Sequence, residues 1–174
     1  MVKIRRIPNG FIIKHNGIET IFPGNEIIYE NEAKSFRGLS LCNLDISHSN
    51  LDDADLRGAD FSGTKLDCST IRNAQLGGAR FLHADMLGCD LSGSYLDDAD
   101  FSHASLNFAD FSDCDLSLAC FDGAHLELSF YNVKTVWPAG MDPDVLKSRR
   151  RDLWEQLNIE RQQEYERKKK DNSK

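Results

Sequence analysis

The 174-residue sequence predicts an all-β solenoid, a chain coiled around a square core, on three observations. A large apolar residue recurs at every fifth position from Leu41 to Leu126 without an insertion. A small residue stands two places before almost every one of them. Residues twenty apart, which four such steps would bring into one column, carry like side chains.

The period decides the class, because five fits neither the 3.6-residue turn of a helix nor the two-residue alternation of a strand. It suits a chain that turns a corner every five residues and stacks each coil on its neighbours. The apolar series opens at Phe36 and closes more loosely at Tyr131 and Val136. The small positions include Ala54, Ala59, Ala74, Ala79, Ala84, Ala99, Ala104, Ala109, Ala119 and Ala124, with Ser, Thr or Cys at most other repeats and Leu39 and Leu44 at the start. Each repeat then turns its large and small residue inward and three others outward. Four corners close a square, so successive coils stack at the strand spacing of about 4.8 Å.

Sorted by twenties, the first face holds Leu41, Phe61, Phe81, Phe101 and Phe121, an aromatic core column. The second holds Ile46, Leu66, Met86, Leu106 and Leu126, the third Leu51, Ile71, Leu91 and Phe111. The fourth is all leucine, at Leu56, Leu76, Leu96 and Leu116. Like stacked on like favours this registration over any other.

Between the small and the large residue, Asp is commonest, as in Ala54-Asp55-Leu56, Ala59-Asp60-Phe61, Ala99-Asp100-Phe101 and Ala109-Asp110-Phe111. This pattern resembles the pentapeptide-repeat family over residues 36–136. The resemblance implies a right-handed quadrilateral β-helix. It implies little about function, which lives in sites and not in folds.

The two ends need caps, since an open β-helix exposes unpaired backbone. Residues 1–35 are expected to be an antiparallel β cap over the first coil. Asn9-Gly10, Asn16-Gly17 and Pro23-Gly24-Asn25 separate expected strands at 3–7, 11–15, 18–22 and 26–29. Residues 137–174 are expected to close the other end. Trp137-Pro138-Ala139-Gly140-Met141-Asp142-Pro143 resembles the closing segment of bacterial family members. Asp142 then caps a C-terminal α-helix with Pro143 at its first position. Val145, Leu146, Leu153, Trp154 and Leu157 give that helix an apolar stripe to about residue 158. Beyond it, residues 160–174 are polar and basic and are expected to fray into a solvated tail.

Composition narrows the function classes. The net charge of −7 divides into +1 over residues 1–35, −10 over 36–136 and +2 over 137–174. An acidic rod repels phosphates, so the repeat region is expected to bind no nucleic acid directly. No run reaches the ~18 apolar residues of a membrane span, and Met1–Arg6 is followed by no apolar core of leader length. Five cysteines, an odd number without a C-x-x-C pair, speak against a disulfide framework and for a reducing compartment, the cytoplasm.

The reading expects no enzyme and no cofactor, because no nucleophile with a base, phosphate loop or zinc signature occurs. His83 and His103 stack twenty apart, but Gly63 and Gly123 flank them in that column, so no metal is expected.

Two surfaces are candidates for a protein partner. The third face collects Asp52, Asp53, Asp90, Asp110 and Asp113 against one basic residue, Arg72. Asp also suits the repeat by bonding local backbone, and ladders such as Asp60-Arg80-Asp100 and Asp45-Lys65-Asp85 read as structural. The second surface is apolar. Leu82, Leu87, Phe108, Leu118, Leu128 and Phe130 break the polar rule for outward sites, and Leu87, Phe108 and Leu128 share a face. The C-terminal helix (Leu146, Leu153, Trp154, Leu157) could cover that patch, a second copy could pair with it, or a foreign protein could bind it.

The leading function is therefore a scaffold or protein–protein interaction role on an acidic β-helix. The resemblance supplies the alternative, since family members of the Qnr and MfpA type imitate DNA to inhibit DNA gyrase and dimerise through a C-terminal helix. Topoisomerase would then be the partner. Against this, the rod has only about four and a half coils and lacks the Qnr branch's loop insertions.

Overall fold

The computed structural model describes residues 36–143 together with the strands β1 (Lys3–Ile7), β2 (Gly10–His15) and β3 (Ile18–Pro23), the residues 149–150, and four helical residues, Ile159, Gln162, Gln163 and Arg167. The solenoid is present as predicted. Parallel bridges link residues twenty apart at every fifth position, from Ser40↔Asp60 through Asp110↔Phe130. Each rung is held twice. Phe61 N–H donates to Arg80 C=O at 2.7 Å, and Arg80 N–H returns to Ala59 C=O at 2.9 Å.

The corner between rungs closes by a turn in which the small inward residue donates to the large one, as Thr64 N–H does to Phe61 C=O at 2.9 Å. The residue before that donor lies in the left-handed region. It is Gly at Gly58, Gly63 and Gly78, and Asn, Asp or His at Asn43, His48, Asp53, Asn73 and His83. Left-handed φ at the third residue of such a turn belongs to type II, which is why these small or self-bonding residues recur there.

The core is the set of inward columns. Phe61, Phe81, Phe101 and Phe111 are fully buried, as are Leu56, Leu66, Leu76, Met86 and Leu91. Rings of the aromatic column stack nearly parallel at 5.0, 4.9 and 5.1 Å from Phe61 to Phe121. The buried hydroxyls of Thr64 and Ser69 donate to carbonyls, of Leu41 at 2.7 Å and of Ile46 at 3.2 Å, whereas that of Ser49 has no partner among the described residues.

Three expectations are corrected. The five-residue phase fails after Tyr131: the final bridge is Asp115↔Val136, a step of twenty-one residues. Val136 is therefore a rung residue and exposed, and Trp137 takes the inward place, packing on Phe111, Phe121 and Tyr131 at 5.9–6.0 Å. Within the stretch expected to be helical from Pro143 to about 158, Arg149 and Arg150 form a strand, and residues 144–148 and 151–158 lie outside the described residues. Strand β5 (Arg149–Arg150) pairs in parallel with β4 (Phe130–Tyr131). The last coil leaves an open edge on the third face, and pairing satisfies that edge where a helix would not. Finally, Gln162, Gln163 and Arg167 are helical and exposed in the region read as a frayed tail.

The N-terminal sheet has the expected meander order, with Ile7 paired to Gly10 and His15 to Ile18. The fourth strand at 26–29, the linking residues 24–35 of the cap, and Leu146, Leu153, Trp154 and Leu157 lie outside the described residues.

Candidate protein-interaction surfaces

The acidic face is built by the rungs themselves. Asp at the rung position accepts the backbone N–H two residues on, at 3.0 Å from Ser62 to Asp60, 3.0 Å from Ser92 to Asp90, 2.9 Å from Ser102 to Asp100 and 3.0 Å from Ser112 to Asp110. This local bond explains the abundance of Asp in the repeat without any partner. The Ser62 hydroxyl holds the Asp60 carboxyl below its usual range, and the Ser102 hydroxyl does so for Asp100.

The five carboxylates of the third face differ in availability. Burial alone would raise Asp52, but the Arg72 guanidinium outweighs it, with contacts of 2.6 and 3.0 Å, and holds the carboxyl low. Asp113 pairs with Lys134 at 3.0 Å, which lowers it likewise. The one-residue slip brings Lys134 to this face, which the strict period could not show. Asp110 is buried and takes the Ser112 hydroxyl at 2.6 Å as well as its amide. Asp53 and Asp113 are the exposed members, and Asp52 and Asp90 are half-buried. Other carboxylates are also paired, Asp55 with Arg57 at 2.7 Å and Asp60 with Arg80 at 3.9 Å.

The apolar candidates separate. Phe108 and Leu128 occupy the same corner column on adjacent coils, tied by Phe108 N–H to Glu127 C=O at 3.2 Å. Both have φ of 61°, a conformation that costs a bulky side chain free energy. Phe108 is 47% exposed, and Leu87, 42% exposed, lies on the preceding coil of that face. Leu118 is exposed but stands on the opposite corner, whereas Leu82 and Phe130 are half-buried on the first and third faces. Sequence reasoning missed three exposed apolar residues towards the fourth face, Tyr95, Val133 and Val136. Tyr95 had a signal, an aromatic ring in a rung column otherwise holding Asp55, Gln75 and Asp115.

His83 and His103 stack at 5.0 Å between rings. A Cβ at Gly123 would meet the His103 ring, so this corner column is closed by ring-over-glycine packing. Among the described residues, no three His, Cys, Asp or Glu side chains converge as metal ligands.

The sequence matches the Pentapeptide repeats family in eight copies over residues 35–70, 68–102 and 94–129. The chain belongs to the pentapeptide-repeat family. Solved structures of the family share its fold. HetL, a pentapeptide repeat protein involved in heterocyst differentiation regulation in the cyanobacterium Nostoc sp. strain PCC 7120, is 28% identical with a TM-score of 0.55. That match covers 62% of this chain and 50% of HetL, so the chain spans about half the length of that relative. Rfr23 from the cyanobacterium Cyanothece 51142 is 26% identical over 56% of this chain and 60% of its own, with a TM-score of 0.38. A pentapeptide-repeat protein of the Arabidopsis thaliana thylakoid lumen is 29% identical over 56% and 68%, with a TM-score of 0.35. Among curated proteins none matches the sequence. No helix among the described residues of this pentapeptide-repeat chain is long and apolar enough to cross a membrane.

Proposed function

We propose that this pentapeptide-repeat chain is a non-enzymatic scaffold that binds a partner protein through the apolar corner of its C-terminal coils, Phe108 with Leu128 and Leu87. The observation that carries the reading is Phe108, a half-exposed phenylalanine held at φ 61° where, apart from Cys68 and its neighbour Leu128, the solenoid uses Gly, Asn, Asp or His. Folding alone does not favour a large ring there, whereas exposed aromatic anchors are what protein interfaces use. Catalysis is disfavoured by a bore filled with side chains, and five free thiols support a reducing compartment, the cytoplasm.

The alternative is a DNA-mimicking modulator of gyrase or topoisomerase. It requires rows of available carboxylates, and Asp52, Asp55, Asp60 and Asp113 are each matched to a cation in place. That pairing supports the apolar corner over the acidic face.

The test is affinity capture from the source organism's lysate with three proteins: the natural chain, Phe108→Asn, and the Asp53→Lys/Asp90→Lys double variant. A partner captured by the natural chain should vanish with Phe108→Asn and survive the charge reversal. Gyrase or topoisomerase subunits lost on charge reversal but kept by Phe108→Asn would replace this reading with DNA mimicry.

A further inference from the structure

The first face of the solenoid ends one rung short. On the preceding coil, Phe101 and His103 N–H groups donate to Cys120 and Asp122 C=O at 2.8 Å, and Ala99 C=O accepts from Cys120 at 2.9 Å. The same three groups on the last coil, Phe121 N–H, Gly123 N–H and Ala119 C=O, have no hydrogen-bond partner among the described residues. Among the described residues, the chain returns past this edge without pairing to it. Continuing the step of Asp115↔Val136 would set Met141 against Cys120. Instead Pro138, which lacks an N–H, starts a turn in which Met141 N–H bonds back to Pro138 C=O at 3.0 Å, with Gly140 at φ +84°. Between the open edge and this closing turn lies a furrow of about 700 Å³, lined by residues 119–122 and 138–142.

The geometry points to this furrow as a docking site for an extended, cationic strand of a partner protein, which would supply the missing rung. The unpaired edge groups call for a β-strand, because only extended backbone meets amides and carbonyls at rung spacing. The floor is apolar, with Phe121, Ala119 and Met141. Among the described residues the charged groups of the lining are Asp122 and Asp142, the latter already engaged by another group, with no Lys or Arg, and the whole repeat region carries −10, so the fitting strand alternates apolar and basic residues. This inference rests on the chain being a protein-binding module, but it uses a surface separate from Phe108.

A fluorescein-labelled heptapeptide alternating valine and lysine, titrated with the full chain and read by anisotropy, tests it. Cys120 lines the furrow and Cys68, exposed on another face, is an internal control. The peptide should slow alkylation of Cys120 and not of Cys68, as read by mass spectrometry. Ala139→Arg, which fills the furrow at an exposed position with like charge, should weaken the peptide by about tenfold or more, with the circular dichroism unchanged. The valine–glutamate peptide and an N-methylated valine–lysine peptide should not bind. Equal protection of both cysteines, or equal binding of the N-methylated peptide, would overturn the site as mere attraction to an acidic rod. Concentration-dependent protection of Cys120 by the protein itself would overturn the foreign strand in favour of a second copy. Phe108→Asn leaves the furrow intact, so failure of the corner and failure of the furrow read separately.

Discussion

Replacing Phe108 by Asn sets two terms against each other with opposite signs. A bulky residue in the left-handed region costs about 1–2 kcal/mol, and Asn tolerates that region, as Asn43 and Asn73 do here at φ 59° and 54°. The ring, 47% exposed, forfeits about half of the ~2–3 kcal/mol that full burial of a phenylalanine is worth. The net effect of Phe108→Asn is therefore between about 0.5 kcal/mol of lost and about 1 kcal/mol of added stability. Phe108→Ala removes the ring and keeps the strained backbone, so it should be less stable than both. Urea midpoints from far-ultraviolet circular dichroism, at constant slope, should place Ala lowest, with Asn within about 1 kcal/mol of Phe. If Phe108→Asn instead lost more than ~2 kcal/mol, the ring would be packed as core and the scaffold reading would lose its main support. A stable variant that no longer captures its partner ties the ring to binding, where truncating an anchor typically costs ~2 kcal/mol or more.

The same solenoid makes three further predictions. Phe81→Ala removes a ring stacked between Phe61 at 5.0 Å and Phe101 at 4.9 Å and should cost ~3–5 kcal/mol by urea denaturation, with Phe121→Ala, at the column's end, costing less. The carboxyls of Asp55, Asp60, Asp100 and Asp113 sit low in the fold, so their stabilisation is complete above the unfolded value of about 3.9 and is lost as pH falls through the lower folded values. The urea midpoint should hold from pH 7 to about pH 5 and drop below about pH 4, less steeply in Ser62→Ala/Ser102→Ala. Burial pushes the Cys114 thiol up to about 12 and Cys89 higher still, so iodoacetamide on the native protein at mildly alkaline pH should mark Cys68 and Cys120 and spare those two.

The repeat was legible because each inward residue states its own place: a five-residue period with like side chains at twenty needs no long-range information. Strands β1–β3 were legible too, within a residue at each end, since turn residues bracket them. The closing region was not. Trp137 looked like the start of a cap, and only the slip at 131–136 shows that it is the last inward residue, packed at a tilt on Phe121. The helix expected from Pro143 rested on an apolar stripe, a local signal, while the open edge of Phe130–Tyr131 is a tertiary demand that recruits Arg149–Arg150. The third-face carboxylates follow from the period, but the pairing of Asp113 with Lys134 depended on the same slip. The furrow has no sequence signature, because it is made by hydrogen bonds that are not formed.

The distribution of surface chemistry along the axis bears on where a partner binds. In the early coils, three arginines are committed to carboxylates: Arg57 to Asp55, Arg72 to Asp52 and Arg80 to Asp60. All exposed large apolar residues within 36–143 fall at Leu87 or later, among them Tyr95, Phe108, Leu118 and Val136. A solenoid permits this division because each coil answers only to its neighbours, so substitutions on the later coils leave the earlier ones untouched. A globular core would couple the two halves and penalise such divergence. The early coils thus act as a self-satisfied stem, and both the Phe108 corner and the furrow at Phe121 belong to the half where the repeat's polar rule is relaxed. A chimera that gives the second-face corner of the early coils the apolar residues, His48→Leu and Cys68→Phe, while restoring Asn at Phe108 and Leu128, separates position from composition. Partner capture should follow the C-terminal position only if the furrow contributes; capture that moves with the apolar corner would make Phe108 and Leu128 sufficient by themselves.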